Sequence, residues 1–187
     1  SKLVSLSSSS WGHPAWSPDG TKIAFDDSSD IHIMNSDGSG SAVNFTNTQF
    51  TTEYHPSWSP DGAKIAYSSN RDGDLDIYVQ NADGSGSPLN LSNNRAIAWQ
   101  PNWSPDGTQI TYVTNEDSNY EIYRVDSDGT GNPENLSNTS MNESFPFWDS
   151  RGIVFEKSGD IFSLDPETGG SLTTWVDDAA TDQHPSW

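Results

Sequence analysis

The sequence predicts an all-β protein, a β-propeller of four-stranded antiparallel blades, and three observations carry that prediction. A Trp-centred octapeptide recurs along the chain at intervals of about 43 residues. Each copy is followed by three further short, alternating stretches separated by turn residues. No segment shows a helical period.

The octapeptide is His13-Pro14-Ala15-Trp16-Ser17-Pro18-Asp19-Gly20, repeated at 55–62 and 100–107 and in altered form as Phe145-Pro146-Phe147-Trp148-Asp149-Ser150-Arg151-Gly152. A further copy opens at His184-Pro185-Ser186-Trp187. The Trp residues stand at 16, 58, 103, 148 and 187, in steps of 42, 45, 45 and 39. Pro beside the Trp suits a first or edge strand. In the turn, Pro sets φ, Asp bonds to nearby backbone N–H groups and Gly takes a conformation closed to other residues. Asp19, Asp61 and Asp106 are therefore structural.

The second strands begin at Lys22-Ile23-Ala24-Phe25, Lys64-Ile65-Ala66-Tyr67, Gln109-Ile110-Thr111-Tyr112 and Gly152-Ile153-Val154-Phe155. An acid opens each third strand, at Asp30, Asp76, Glu121 and Asp160. A Gly-rich turn leads to a fourth, such as Leu89-Asn90-Leu91-Ser92. The expected blades span 13–50, 55–94, 100–138 and 145–176 within one domain, with an outer strand over 2–6 and an inner strand over 184–187. Each unit holds too little apolar surface to fold alone, so blades must pack face to face, with the first-strand Trp filling the gap.

Composition agrees. Hydrophobic residues make up 31%, yet there are 8 Trp, 6 Tyr and 7 Phe. A few large rings suit thin cores between stacked sheets. The formal charge of −19 excludes a nucleic-acid partner, whose phosphates need a basic face, and suits cationic ligands or divalent metals. No apolar run reaches the ~20 residues of a membrane span. Residues 1–10 hold one Lys and no long apolar stretch, so no signal peptide is expected within the chain. Cysteine is absent.

Pro-x-Trp-Ser-Pro-Asp-Gly, then Lys-Ile-Ala-Phe/Tyr, then Ser69-Asn70-Arg71-Asp72-Gly73 leading to Asp76-Ile77-Tyr78-Val79, resembles the repeat of TolB-type propellers of the bacterial envelope. The resemblance is strongest over 55–92 and departs at Asp149-Ser150-Arg151. It implies a non-catalytic scaffold, periplasmic or secreted, that holds a protein or peptide at the channel mouth. Such propellers usually have six blades, and by the repeat period roughly 30 residues separate these two ends from a complete fifth blade. Three readings of the ends stay open: a segment of a longer propeller, self-association of copies through the terminal strands, or a closed four-bladed ring.

Two candidate sites follow. Acids two residues before the His or Phe that precedes Pro, namely Glu53, Glu143 and Asp182, are placed near the channel mouth, with Trp11 and Ala98 in the same slot elsewhere. With His13, His55 and His184 they form a candidate binding site for a cation or a basic peptide group, against the simpler reading of solvated acids and packed imidazoles. Asn70, Asp72, Asp74 and Asp76 partly match an oxygen-rich Ca²⁺ loop, against the simpler reading of a plain hairpin. Asn-x-Ser/Thr sequons at Asn44, Asn90, Asn102, Asn135, Asn138 and Asn142 read as by-products of strand chemistry rather than glycan sites. No nucleophile elbow, HExxH, P-loop or dinucleotide motif is present. A metal-dependent enzyme, such as a propeller-type polysaccharide lyase, is the alternative to a binding scaffold, and a self-assembling structural subunit is a third.

Overall fold

The computed structural model describes residues 12–27, 29–167 and 173–176. The expected strands over 2–6 and 184–187, with Trp11, Asp182 and His184, lie outside the described residues. Among the described residues, sixteen strands form four four-stranded antiparallel sheets. The first holds β1 (Ala15–Trp16), β2 (Lys22–Asp26), β3 (Ile31–Asn35) and β4 (Val43–Asn44). The second holds β5 (Glu53–Trp58), β6 (Lys64–Ser69), β7 (Asp76–Asn81) and β8 (Leu89–Asn90). The third holds β9 (Ala98–Trp103), β10 (Gln109–Thr114), β11 (Glu121–Asp126) and β12 (Glu134–Asn135). The fourth holds β13 (Glu143–Asp149), β14 (Gly152–Lys157), β15 (Asp160–Leu164) and β16 (Thr173–Val176). Strand order equals chain order within every sheet, as the blades of a propeller require.

The first hairpin of each of the first three blades is locked by the turn the sequence encodes. Ser17 Oγ donates to Asp19 Oδ1 (2.6 Å) and accepts from Lys22 N (2.9 Å). Ser59 with Asp61 and Lys64, and Ser104 with Asp106 and Gln109, repeat this geometry. These bonds hold the Asp19 and Asp61 carboxyls below the usual carboxylate range, and Asp106 is lowered by bonds from Thr108 and Ser104. Gly62 stands at φ +72 and abuts Pro18 of the preceding blade, so the turns also stack on one another. In blade four Arg151 replaces this lock: its backbone N–H and its guanidinium both bond to Asp149.

The far side of each of the first three blades is fastened by a second repeated device, built on the sequon-like triplets. Asn90 Nδ2 and Ser92 Oγ donate to Asp76 (2.9 and 2.8 Å), while Ser92 Oγ accepts from Ile77 N (2.9 Å). Asn90 Oδ1 then accepts from Asn93 N and turns the chain toward the next blade. Asn44 and Thr46 hold Asp30 in the same way, and Asn135 donates to Glu121. The acid that opens each of these third strands is thus the anchor of its fourth strand.

The cores lie between blades. Ala24 and Ile31 of blade one pack with Ile65, Tyr67 and Tyr78 of blade two, and Trp58 packs against this cluster. Ala66, Ile77 and Val79 meet Trp103, Ile110 and Tyr112 of blade three. Val113, Ile122 and Leu136 meet Ile153, Phe155 and Leu164 of blade four. The repeated Trp fills these junctions and also bonds across them: Trp58 Nε1 donates to Ala15 O (3.2 Å) and Trp103 Nε1 to Ser57 O (3.0 Å). Full burial of such a ring contributes roughly 1.5–3 kcal/mol or more, and the indole bond about 1 kcal/mol further.

Position, not residue type, sets what each Trp contributes. Trp103 is 5% exposed and Trp16 is 61% exposed. Trp103→Ala is expected to lower unfolding free energy by about 3–5 kcal/mol, and Trp16→Ala by less than about 1 kcal/mol, both read by urea unfolding. A second test concerns the 2–3 hairpins. Gly73 occupies the left-handed turn position at φ +112, where blade three has Ser118 at φ +87. Ser118→Gly relieves that strain and is expected to stabilise by about 0.5–1 kcal/mol in the same assay.

Candidate functional site

The first strands of all four blades line one open central groove of about 420 Å³. Its wall includes His13, His55, Gln100, Asn102, Phe145 and Phe147. The residues that face it are aimed by a repeated backbone irregularity. In β5 the pair His55-Pro56 stands opposite a single residue of β6, and Gln100-Pro101 and Phe145-Pro146 do the same in β9 and β13. His55 (φ 54), Gln100 (φ 54) and Phe145 (φ 52) are all left-handed, an uncommon state for residues with a Cβ. A bulge at this point re-aims the side chain, and the following Pro has no N–H to lose from the ladder.

The groove is chemically lopsided. On the side of blades one and two, the His13 ring packs 3.9 Å from that of His55. His13 Nδ1 lies 3.0 Å from Asp26 Oδ2, and its backbone N–H also donates to that carboxylate, whose side chain is fully buried. Burial first, and the neighbouring His13 second, push the His55 imidazole down to about 4. On the opposite side the wall is aromatic, from Phe145 and Phe147. Between them Gln100 Oε1 accepts from Phe145 N (2.8 Å) and Asn102 Oδ1 from Trp148 N (2.9 Å), tying blade three to blade four.

Of the residues singled out from the sequence, His13 and His55 reach the groove; Glu53 and Glu143 do not join them there as exposed mouth acids. Glu53 is fully buried, accepting from Thr48 Oγ1 (2.7 Å), Thr51 Oγ1 (2.9 Å) and Ser69 Oγ (2.8 Å). Arg71 Nη2 stands 3.8 Å from it and donates to Tyr67 OH. The carboxylate thereby fastens the connection between blades one and two, because a buried charge persists only when hydrogen-bonded and paired. Glu143 is buried as well, accepts from Thr139 Oγ1 (2.5 Å), and burial raises its pKa. No local pattern in the sequence marks this role, because Thr48 and Thr51 come from the connection before β5 and Ser69 and Arg71 from the far end of β6.

The four residues of the candidate Ca²⁺ loop are divided among separate tasks. Asn70 Oδ1 accepts from Thr52 N (2.8 Å). Asp72 Oδ2 accepts from Tyr78 OH (2.5 Å), as Asp117 does from Tyr123 in blade three. Asp76 is the buried anchor of β8, and Asp74 is exposed. Among the described residues no group of three or more His, Cys, Asp or Glu is arranged to hold a metal ion.

This geometry defines a repeat-built β-propeller with an open axial groove. The family model of the TolB beta propeller domain matches residues 1–187, and the chain belongs to that family. Among solved structures, a putative TolB from Agrobacterium tumefaciens is 27% identical with a TM-score of 0.75, over 85% of this chain and 62% of that one. TolB from Acinetobacter baumannii is 22% identical with a TM-score of 0.71, over 90% of this chain and 44% of that one. A chain of a nidogen/laminin complex, 15% identical with a TM-score of 0.73 over 86% of this chain and 62% of that one, shares the fold. The chain spans less than two thirds of the length of each of these structures. A comparison with the curated proteins finds no match.

The His55 environment sets a pH dependence. A half-buried neutral imidazole with a pKa of about 4, against 6.5 for the free group, binds fewer protons folded than unfolded between those values. Its contribution to stability is complete above pH 6.5 and is lost as pH falls from 6.5 toward 4. His55→Gln places in blade two the residue that blade three carries at the same left-handed position. The variant is expected to flatten the fall of melting temperature over that window relative to the parent; an unchanged slope would refute the assignment.

Proposed function

We propose that this chain is a non-catalytic binding propeller that takes a protein or peptide segment carrying basic groups in its central groove. The observation that carries this reading is the convergence of four first strands on one open groove, lined by His13, His55, Gln100, Asn102, Phe145 and Phe147. The aromatic wall of Phe145 and Phe147 offers faces to an ammonium or guanidinium, and the charge of −19 draws a cationic ligand toward the protein. A periplasmic setting is the one the TolB resemblance supports. A metal-dependent enzyme needs several ligands around one ion, and the described residues bring no such group together. Self-association is supported by a single feature, the exposed indole of Trp16 at the position where Trp58 and Trp103 are packed.

The test is calorimetric titration with a short oligo-lysine peptide at low ionic strength, on the parent and on Phe147→Ser. Binding that weakens about tenfold in the variant, and falls as salt is added, is the expected result. Equal affinity for both proteins, or no binding, removes the groove as the site.

A further inference from the structure

The end of the propeller from which β5, β9 and β13 start carries a second feature that the repeat does not require. Each of the three described connections that enter these strands presents one large apolar side chain to solvent: Phe50, Ile97 and Met141. Their places in the repeat differ. Phe50 stands three residues before Glu53, Ile97 one before Ala98, and Met141 two before Glu143. Residues needed for blade packing recur at equivalent places, as the Trp residues do; these three do not.

Each is held outward by a built support. Thr48 and Thr51, on either side of Gln49-Phe50, both donate to the buried Glu53 carboxylate, and Thr51 Oγ1 also bonds to Thr48 Oγ1 (2.5 Å). Ile97 N donates to Asn115 Oδ1 (2.9 Å). Met141 O accepts from Asn119 Nδ2 (2.9 Å), and its half-exposed side chain leans on the blade-four hairpin, where Sδ accepts from Ser158 Oγ (3.0 Å). Phe50 is fully exposed and left-handed at φ 62. A bulky residue in that region is strained, and its ring gains nothing from burial within the chain, a pairing that points from backbone strain to a function.

We propose that Phe50, Ile97 and Met141 form an apolar docking rim around the groove for a cationic amphipathic segment of a partner protein. Charge names the occupant. Beside the rim, the hairpins of blades two and three expose Asp72, Asp74, Glu116 and Asp117, while Arg71 of the same hairpins is turned inward to Glu53 and Tyr67. Arg95, in the connection that carries Ile97, is an exposed cation among them. A segment with Lys or Arg on one face and Leu-like residues on the other meets acids and apolar rim together, and loops already pinned in place lose little freedom on binding it. The rim rests on the reading of the groove only for the choice of end; its contacts are separate.

The test compares two labelled peptides of equal charge, one alternating Lys with Leu and one alternating Lys with Ser, by fluorescence anisotropy. The proteins are the parent, the triple variant Phe50→Ser/Ile97→Ser/Met141→Ser, and the groove variant Phe147→Ser. The expected result is that the parent binds the Leu peptide at least about tenfold more tightly than the Ser peptide, and that the triple variant loses this difference. Phe147→Ser keeps the difference, even if it weakens both peptides, so failure of the groove and failure of the rim are read separately. Phe50→Gly adds a control: it is expected to raise the melting temperature while lowering affinity for the Leu peptide. A triple variant that retains the preference overturns the proposal. So does loss of Phe50-dependent binding to peptide alongside Phe50-dependent dimerisation by light scattering, or binding to lipid vesicles in its place.

Discussion

Packing of one blade against the next is the constraint on which the rest of this structure depends. No sheet owns a core. The three buried clusters each take residues from two adjacent blades, so every blade is stable only through its neighbours. The repeated Trp serves this constraint twice, by filling the junction and by donating its indole N–H to a first-strand carbonyl of the blade before. The same packing brings the first strands side by side and leaves the groove between them. The site is therefore a by-product of how the blades are stabilised.

The buried acids serve the same end. Asp76, with its partners Asn90 and Ser92, pins the last strand of a blade, and Glu53, with Thr48, Thr51, Ser69 and Arg71, pins the connection to the next. These carboxylates accept hydrogen bonds from within the fold. The acids that remain exposed, such as Asp74 and Glu116, act through the field of the whole surface.

Most of the fold was legible in the sequence because its devices are local and repeated. The Ser-Pro-Asp-Gly lock, the alternating second strands and the Trp spacing each encode a few bonds between residues close in the chain. The site was legible only in part. His13 and His55 could be placed near the axis from their position before Pro. The left-handed bulge that aims His55, Gln100 and Phe145 was hidden, because residues before Pro favour extended backbone and these three share no side-chain chemistry. The burial of Glu53 depends on hydroxyls at Thr48 and Ser69 and on Arg71, groups brought together by two blades rather than by one segment.

The central claim is that ligand binds along the first strands at the axial groove. Backbone and side-chain amide shifts, measured by heteronuclear NMR as an oligo-lysine peptide is added, test it directly. The account predicts that the largest perturbations fall on His13, His55, Gln100, Asn102 and Phe147. Perturbations confined to the Pro-Asp-Gly turns at the opposite end, around Asp61 and Asp106, would contradict it.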